Sequence, residues 1–283
     1  MTAADRPIDL DSYWMPFTAN REFKANPRMI RAAEGVHYIT VDGRRVLDGL
    51  SGLWCCGAGH NRREIADAIA DQARELDYAP AFQYGHPKAF ELASRVRSLT
   101  PDGLDKVFFV NSGSEAADTS LKIARAYWRQ RGQPSKTRLI GRAKGYHGVN
   151  FGGISVGGIG PNRKLFGTTL ETDHLSHTLL PENQFTRGQP EHGAHLADEL
   201  EALVALHDAS NIAAVIVEPL QRCLPPAPGF LESLRTETRA HGVLLVFDEV
   251  VTGFRLAYGG AQERYGVTPD LVAYGKALGG GLP

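Results

Sequence analysis

Val243-Leu244-Leu245-Val246-Phe247-Asp248-Glu249 runs five apolar residues straight into two acids, and its reading decides the rest of the chain. Such a run suits a buried strand, with the acids held at its carboxyl end. Working outward, short β-branched or aromatic runs alternate with amphipathic stretches. Strands are expected at 106–110, 138–141, 213–217, 243–247 and 271–274, and helices at 114–130, 196–207 and 229–240. This alternation predicts an α/β fold, a mostly parallel sheet flanked by helices. Ligand sites in such sheets gather at the carboxyl edge of the strands, which places 111–115, 248–250 and 275–276 on one rim.

Upstream, 38–41 and 45–47 flank Asp42-Gly43, and an Asp-Gly pair supplies the positive φ angles of a tight hairpin turn. The spacing of Ile65, Ile69, Ala73 and Leu76 predicts a helix over 62–76 with one stripe able to be buried, and 87–99 repeats the pattern. Residues 152–160, rich in glycine, and 181–194, polar and turn-prone, are expected as loops. We place an N-terminal segment with the hairpin at 1–60 and a larger domain at 61–283. No internal repeat, heptad or low-complexity tail stands out.

A chain of 283 residues, 42% apolar and 22% charged, has the composition of a soluble globular protein. A formal charge of -1 provides no bulk field for nucleic acid or anionic membrane. Small molecules or copies of itself are therefore the expected partners. No stretch approaches a membrane span, and residues 1–7 lack the apolar region of a secretory signal. Cys55, Cys56 and Cys223 form neither a disulfide framework nor a zinc spacing, which predicts a reducing compartment, by default the cytoplasm. His174 and His177, or His192 and His195, could each bring two rings together, but no ligand spacing is complete and no metal is expected.

Three constellations carry chemistry. Asn111-Ser112-Gly113-Ser114-Glu115 lies between an expected strand and helix, where free amides and the helix dipole favour an anion and Gly113 admits a phosphate. An ordinary serine N-cap explains the same residues. Asp248 could be a metal ligand, a general base, a partner for a protonated ring nitrogen, or simply a loop cap. Lys276, just past a buried strand and before a glycine run, suits a nucleophile toward an aldehyde. A nucleotide-binding loop is disfavoured, since Gly275-Lys276 precedes Ala277 instead of Ser or Thr. Gly157-Gly158-Ile159-Gly160 does not complete a dinucleotide fingerprint. Taken together, a phosphate cradle, a carboxylate and a lysine amine match the three ends of pyridoxal 5'-phosphate.

Asn111-Ser112-Gly113-Ser114-Glu115-Ala116, Gly145-Tyr146-His147-Gly148, Val217-Glu218-Pro219, Phe247-Asp248-Glu249-Val250-Val251-Thr252-Gly253-Phe254-Arg255 and Gly275-Lys276-Ala277-Leu278-Gly279-Gly280-Gly281-Leu282-Pro283 resemble class III aminotransferases from about residue 11 onward. The resemblance implies a fold type I large domain carrying pyridoxal 5'-phosphate. Lys276 would bind the cofactor aldehyde and Asp248 the pyridine nitrogen, while Ser112, Gly113 and Ser114 would hold the phosphate. Tyr146 would stack on one ring face and Val250 on the other, with His147 and Glu218 behind them, there for packing or hydrogen bonding as readily as for a direct role.

Residues 12 to about 217, with Tyr13-Trp14-Met15-Pro16-Phe17-Thr18-Ala19-Asn20-Arg21, Gly52-Leu53-Trp54-Cys55-Cys56, Gly85-His86-Pro87 and the 152–159 segment, resemble omega-amino-acid:pyruvate aminotransferases. Past Glu218, Pro228-Gly229-Phe230-Leu231-Glu232-Ser233-Leu234-Arg235, Thr252-Gly253-Phe254-Arg255 and Gly259-Gly260-Ala261-Gln262 are more similar to glutamate-1-semialdehyde aminomutases. By the resemblance Phe17, Trp54, Phe82 and Tyr146 would line the substrate pocket. Read without it, Trp54 and Phe82 are core or dimer-contact aromatics. The implied reaction moves an amino group from an omega-amine donor to a keto-acid acceptor, pyruvate, in a homodimer or dimer of dimers. Aminomutase chemistry is one alternative. The family continues well past its lysine into a C-terminal small domain, so the chain is expected to be truncated, and a non-catalytic fragment is the other alternative.

Overall fold

The structure, a computed structural model, describes residues 8–282. The polar reading of 1–7 falls outside the described residues, as does Pro283. Two sheets organise the rest. The first, β1 (Ile30–Glu34), β2 (His37–Thr40) and β3 (Arg45–Leu47), is antiparallel in the order β1-β2-β3. The expected hairpin is its β2–β3 half, with Tyr38 opposite Val46. Its connection is longer than a two-residue turn, running over 41–44 with Gly43 at φ 84° and the amide of Thr40 donating to Arg44 O at 3.0 Å. Strand β1 was not expected.

The second sheet is parallel, in the order β5-β4-β6-β7-β8, built from β4 (Arg138–Arg142), β5 (Thr172–Leu175), β6 (Ile212–Val217), β7 (Leu244–Asp248) and β8 (Leu271–Ala273). Alternate side chains of β6 go to opposite faces: Val215 and Val217 join Phe230 and Leu234, whereas Ala214 and Ile216 join Leu121 and Trp128. Burying each large aliphatic side chain contributes about 1.5–3 kcal/mol, so this two-sided core dominates the stability. Trp128 adds a buried bond from Nε1 to Ala213 O at 2.8 Å. The helices covering the sheet are α5 (Gly113–Gln130), α8 (Glu199–His207) and α9 (Phe230–Ala240), close to their expected bounds. Around them stand α1 (Asn20–Ala25), α2 (Ser51–Trp54), α3 (Arg63–Glu75), α4 (Pro87–Arg97), α6 (Phe151–Val156), α7 (Gly160–Phe166) and α10 (Ala261–Tyr265).

Three expectations are corrected. Residues 106–110 are not a strand: the segment lies across a cavity of about 460 Å³ from β8, lined by Phe108, Phe109 and Leu271 among others, and among the described residues no strand pairs with it. The glycine-rich 152–160 is mostly helical, in α6 and the start of α7. A carbon on Gly153 would stand 2.2 Å from His147 O and one on Gly152 2.7 Å from Asp118 Oδ1, so the glycines permit close packing, not looseness. Finally, α3 and α4 form, but Val96 is the one residue they bury, because little packs on their apolar stripes; Phe90 is 70% exposed.

Candidate active site

The carboxyl ends of the parallel strands converge as their sequence requires. Ser112 is the N-cap of α5, its Oγ accepting from Glu115 N at 3.2 Å, while Glu115 Oε2 accepts from Asn111 N at 2.8 Å. The cap thus falls two residues before Ser114, leaving the first-turn amides of Gly113 and Ser114 without intrahelical acceptors. The reading of this segment as a helix cap is what the structure shows, and it is compatible with an anion cradle. Loop 145–148 lies over this turn, since a carbon on Gly148 would stand 2.6 Å from Ser114 Cα, and Ser114 Oγ accepts from Val149 N at 3.1 Å.

Gly275, between β8 and Lys276, draws that strand end to the same place. A carbon on it would stand 3.2 Å from Val250 Cγ1 and 3.7 Å from Gly113 Cα. Lys276 itself sits at φ 45°, a left-handed conformation uncommon for a side-chain residue, and its Nζ lies 5.9 Å from the ring centroid of Trp54. Trp54 ends α2, a turn in which Ser51, Gly52, Leu53 and Trp54 all have positive φ. Asp48 secures that turn, accepting from the amides of Leu50 at 3.1 Å and Gly52 at 2.6 Å and bonding His60 Nε2 at 2.6 Å. Burial opposes its charge, yet these bonds hold its carboxyl below the ordinary range.

Asp248 ends β7, buried. Its Oδ1 accepts from Val250 N at 3.1 Å and its Oδ2 faces His147 Nδ1 at 2.8 Å. His147 is also buried; burial alone would depress its basicity, but the carboxylates of Asp248 and Glu218 outweigh it and the net direction is upward. Glu218 directly follows β6, with Oε2 accepting from Tyr146 N at 3.2 Å. Burial pushes its carboxyl up to about 7, against the attraction of His147 and Arg142. Burial, then the charge of Asp248, raises the Tyr146 phenol. Sequence reasoning missed Arg142, fully buried at the end of β4 with its guanidinium 4.4 Å from the Phe230 ring centroid and pushed down to about 10 by burial. Its position at a strand end just before Gly145-Tyr146-His147-Gly148 was the available signal.

One cavity of about 530 Å³ is lined by Ser112, Gly113, Ser114, Tyr146, His147, Glu218, Asp248, Val250 and Lys276, a size suited to a small organic ligand. Cys55, Leu92, Thr252 and Tyr274 also line it. Of the four expected substrate-pocket aromatics, Tyr146 lines this cavity and Trp54 stands beside its lysine. Phe17 and Phe82 do not line it and are 79% and 84% exposed. Among the described residues no group of three or more His, Cys, Asp or Glu is placed to hold a metal, and no helix is long and apolar enough to cross a membrane.

A strand-edge lysine, a buried aspartate and a helix N-terminus around one cavity are the marks by which the chain can be compared with known proteins. The family described as Aminotransferase class-III matches residues 18–283, and the chain belongs to that family. It is 60% identical to an omega-aminotransferase of Caulobacter vibrioides, over 95% of this chain and 63% of that protein. It is 55% identical to a beta-alanine–pyruvate aminotransferase of Pseudomonas aeruginosa, over 97% of this chain and 62% of that one. Among solved structures, an (S)-enantioselective omega-transaminase from Thermomicrobium roseum superposes with a TM-score of 0.88 at 33% identity, covering 95% of this chain and 61% of the other. An amine transaminase from an uncultivated Pseudomonas species, in its PLP-bound form, gives 0.87 at 35% identity, covering 96% and 63%. The parallel sheet with flanking helices is thus the transaminase fold over the aligned part. The chain spans about 62% of the length of the curated relatives it matches.

Proposed function

We propose that the chain holds pyridoxal 5'-phosphate in the 530 Å³ cavity and that the protein it represents moves an amino group from an omega-amino acid or amine to pyruvate. The observation that carries this reading is that Gly113, Ser114, Asp248 and Lys276, read separately as phosphate, ring and aldehyde partners, line one cavity. The residues fit the group: Gly113, at the first turn of α5, has no side chain and no room for one beside Val250, and it lines the cavity together with the buried Asp248. Relatives named omega-aminotransferase and beta-alanine–pyruvate aminotransferase support the substrate class and do not favour the aminomutase alternative.

When bound, pyridoxal phosphate supplies an aldehyde for the donor amine and an electron-withdrawing ring. The chain supplies the rest. Ser112, Gly113 and Ser114 would hold the phosphate at the positive end of α5. Asp248 would keep a proton at the ring nitrogen, and Tyr146 and Val250 would bracket the ring. Lys276 would bind the aldehyde through Nζ and, once displaced by substrate, carry a proton at the same atom to and from the substrate carbon. Trp54 would wall the substrate side. The exposed Phe17, Phe82 and Phe90 support a homodimer or dimer of dimers in which a second copy covers them, with Phe17 and Phe82 reaching a site across the interface. The same reading divides the chain into 1–60 and 61–283. An amine-donor panel with pyruvate, scored by alanine formed, tests it; turnover of glutamate-1-semialdehyde without an acceptor would overturn it.

A further inference from the structure

The turn that carries Trp54 is shaped from within its own segment. Asp48 accepts from the amides of Leu50 and Gly52, while Leu50 O and Ser51 O accept from Trp54 N and Cys56 N, each at 2.8 Å. None of these bonds fixes where the turn lies against the parallel sheet. Among the described residues one hydrogen bond joins 48–60 to the chain beyond residue 100: Arg255 Nη2 donates to Trp54 O at 2.8 Å. A carbon on Gly57 would stand 3.6 Å from the same Nη2, so the guanidinium lies against bare backbone just past Trp54. Arg255 is itself anchored. Its amide donates to Thr252 O at 3.1 Å, the hydroxyl of the buried Thr252 donates to Glu249 Oε2 at 2.8 Å, and Glu249 N donates to Ala273 O at 2.8 Å. Asp248 directly precedes Glu249 and Lys276 closely follows Ala273, so the backbone that carries both also carries this arginine.

We propose that Arg255 is a positioning residue that acts through Trp54: by holding the Trp54 carbonyl it fixes the indole beside Lys276 and so sets the width of the substrate side of the cavity. The indole centroid and Lys276 Nζ are 5.9 Å apart, within the range at which an aromatic face attracts a cation. A donor bound at the lysine must fit its side chain against this wall. Residues 51–54 all have positive φ, a conformation kept only where the surroundings enforce it, so a turn released at its end has other shapes to relax into. An arginine suits the task, because its guanidinium stays charged and its donors project as a rigid fork. This inference rests on the proposed function only for what Trp54 faces; the clamp between Arg255 and Trp54 needs no cofactor.

The test follows Trp14, Trp54 and Trp128 by ¹⁹F resonance in the cofactor-free chain labelled with fluorotryptophan, with Trp54→Phe assigning the signal. In the parent, Lys276→Met should shift the Trp54 resonance, because it removes the amine beside the indole. Arg255→Met keeps the stem and loses the donors, so it should move the Trp54 resonance and abolish its response to Lys276→Met. Arg255→Lys, which keeps a donor, should restore part of that response. Trp128, buried in the core, should stay where it is, whereas a general loosening of the fold would move it as well. The proposal is overturned if Trp54 answers Lys276→Met as strongly in Arg255→Met as in the parent, if it gives no response in the parent, or if Trp128 moves with it. Borohydride labelling in the presence of pyridoxal phosphate separates the two readings. An unlabelled Lys276 in a chain whose Trp54 response depends on Arg255 sinks the cofactor reading and leaves this one standing; a labelled Lys276 with a response independent of Arg255 sinks this one alone.

Discussion

A side-chain carbon on Gly113 would lie 2.9 Å from Cγ1 of Val250, so the valine already occupies the place that any larger residue at 113 would need. Gly113→Ala must therefore displace either the wall of the cavity or the first turn of α5. Overpacking of this kind costs about 1–3 kcal/mol. We expect a urea midpoint lowered accordingly and pyridoxal phosphate bound at least about tenfold more weakly by fluorescence titration. The double variant with Val250→Ala should regain stability; if Gly113→Ala alone binds as the parent does, the cradle does not depend on this contact.

Lys276 is the lysine on which the cofactor reading stands. After incubation with pyridoxal phosphate and borohydride, peptide mass mapping should place the pyridoxyl group on Lys276, and Lys276→Ala should lose it. A label on Lys144, or on any other lysine, would show that the aldehyde goes elsewhere.

The raised carboxyl of Glu218 makes a stability prediction with a definite sign. Its folded value of about 7 lies above the ordinary 4.5, so the native state holds the proton more tightly than the unfolded chain. That contribution is complete below about 4.5 and is lost as pH rises through about 7. Measured as the difference between parent and Glu218→Gln, parent stability should fall by up to about 3 kcal/mol over this window. A flat difference in urea unfolding free energy across it would refute the burial of an ionisable group there.

Asp48 organises the left-handed turn that carries Trp54. Positive φ at side-chain residues is unfavourable and persists only where the surroundings enforce it. Asp48→Asn should therefore speed amide hydrogen exchange in peptides spanning 48–60, while peptides from β6 and β7 keep their protection. Equal protection in the first set would mean the turn is held by something other than the carboxylate.

The sheet and its site were largely readable because the information is local. Runs such as 243–247 announce buried strands, and Asp248 and Lys276 fall at strand ends by simple counting. What escaped depends on contacts between distant segments. Phe108 and Phe109 look like strand residues, but a strand exists only where a neighbour offers hydrogen bonds, and none pairs with them here. Gly152 and Gly153 look like a loop because composition does not reveal that Asp118 and His147 press against them. Phe17 and Phe82 were placed in the pocket by resemblance, and no property of their own sequence neighbourhood says that they would stand exposed and away from it.

Parallel sheets join strands by long crossovers, and the site inherits that arithmetic. His147 and Asp248 meet across 101 residues of chain, and Lys276 arrives with β8 at the opposite edge from β5. Contacts of such long range are slow to form, because chain entropy is lost before they reward it. A ligand gripping residues near 113, 248 and 276 together would recognise only molecules that have completed every crossover. At a hundredfold excess over its dissociation constant it would favour them by about 2.7 kcal/mol. The vitamin would then act as an inspector of finished folding before it takes part in any chemistry.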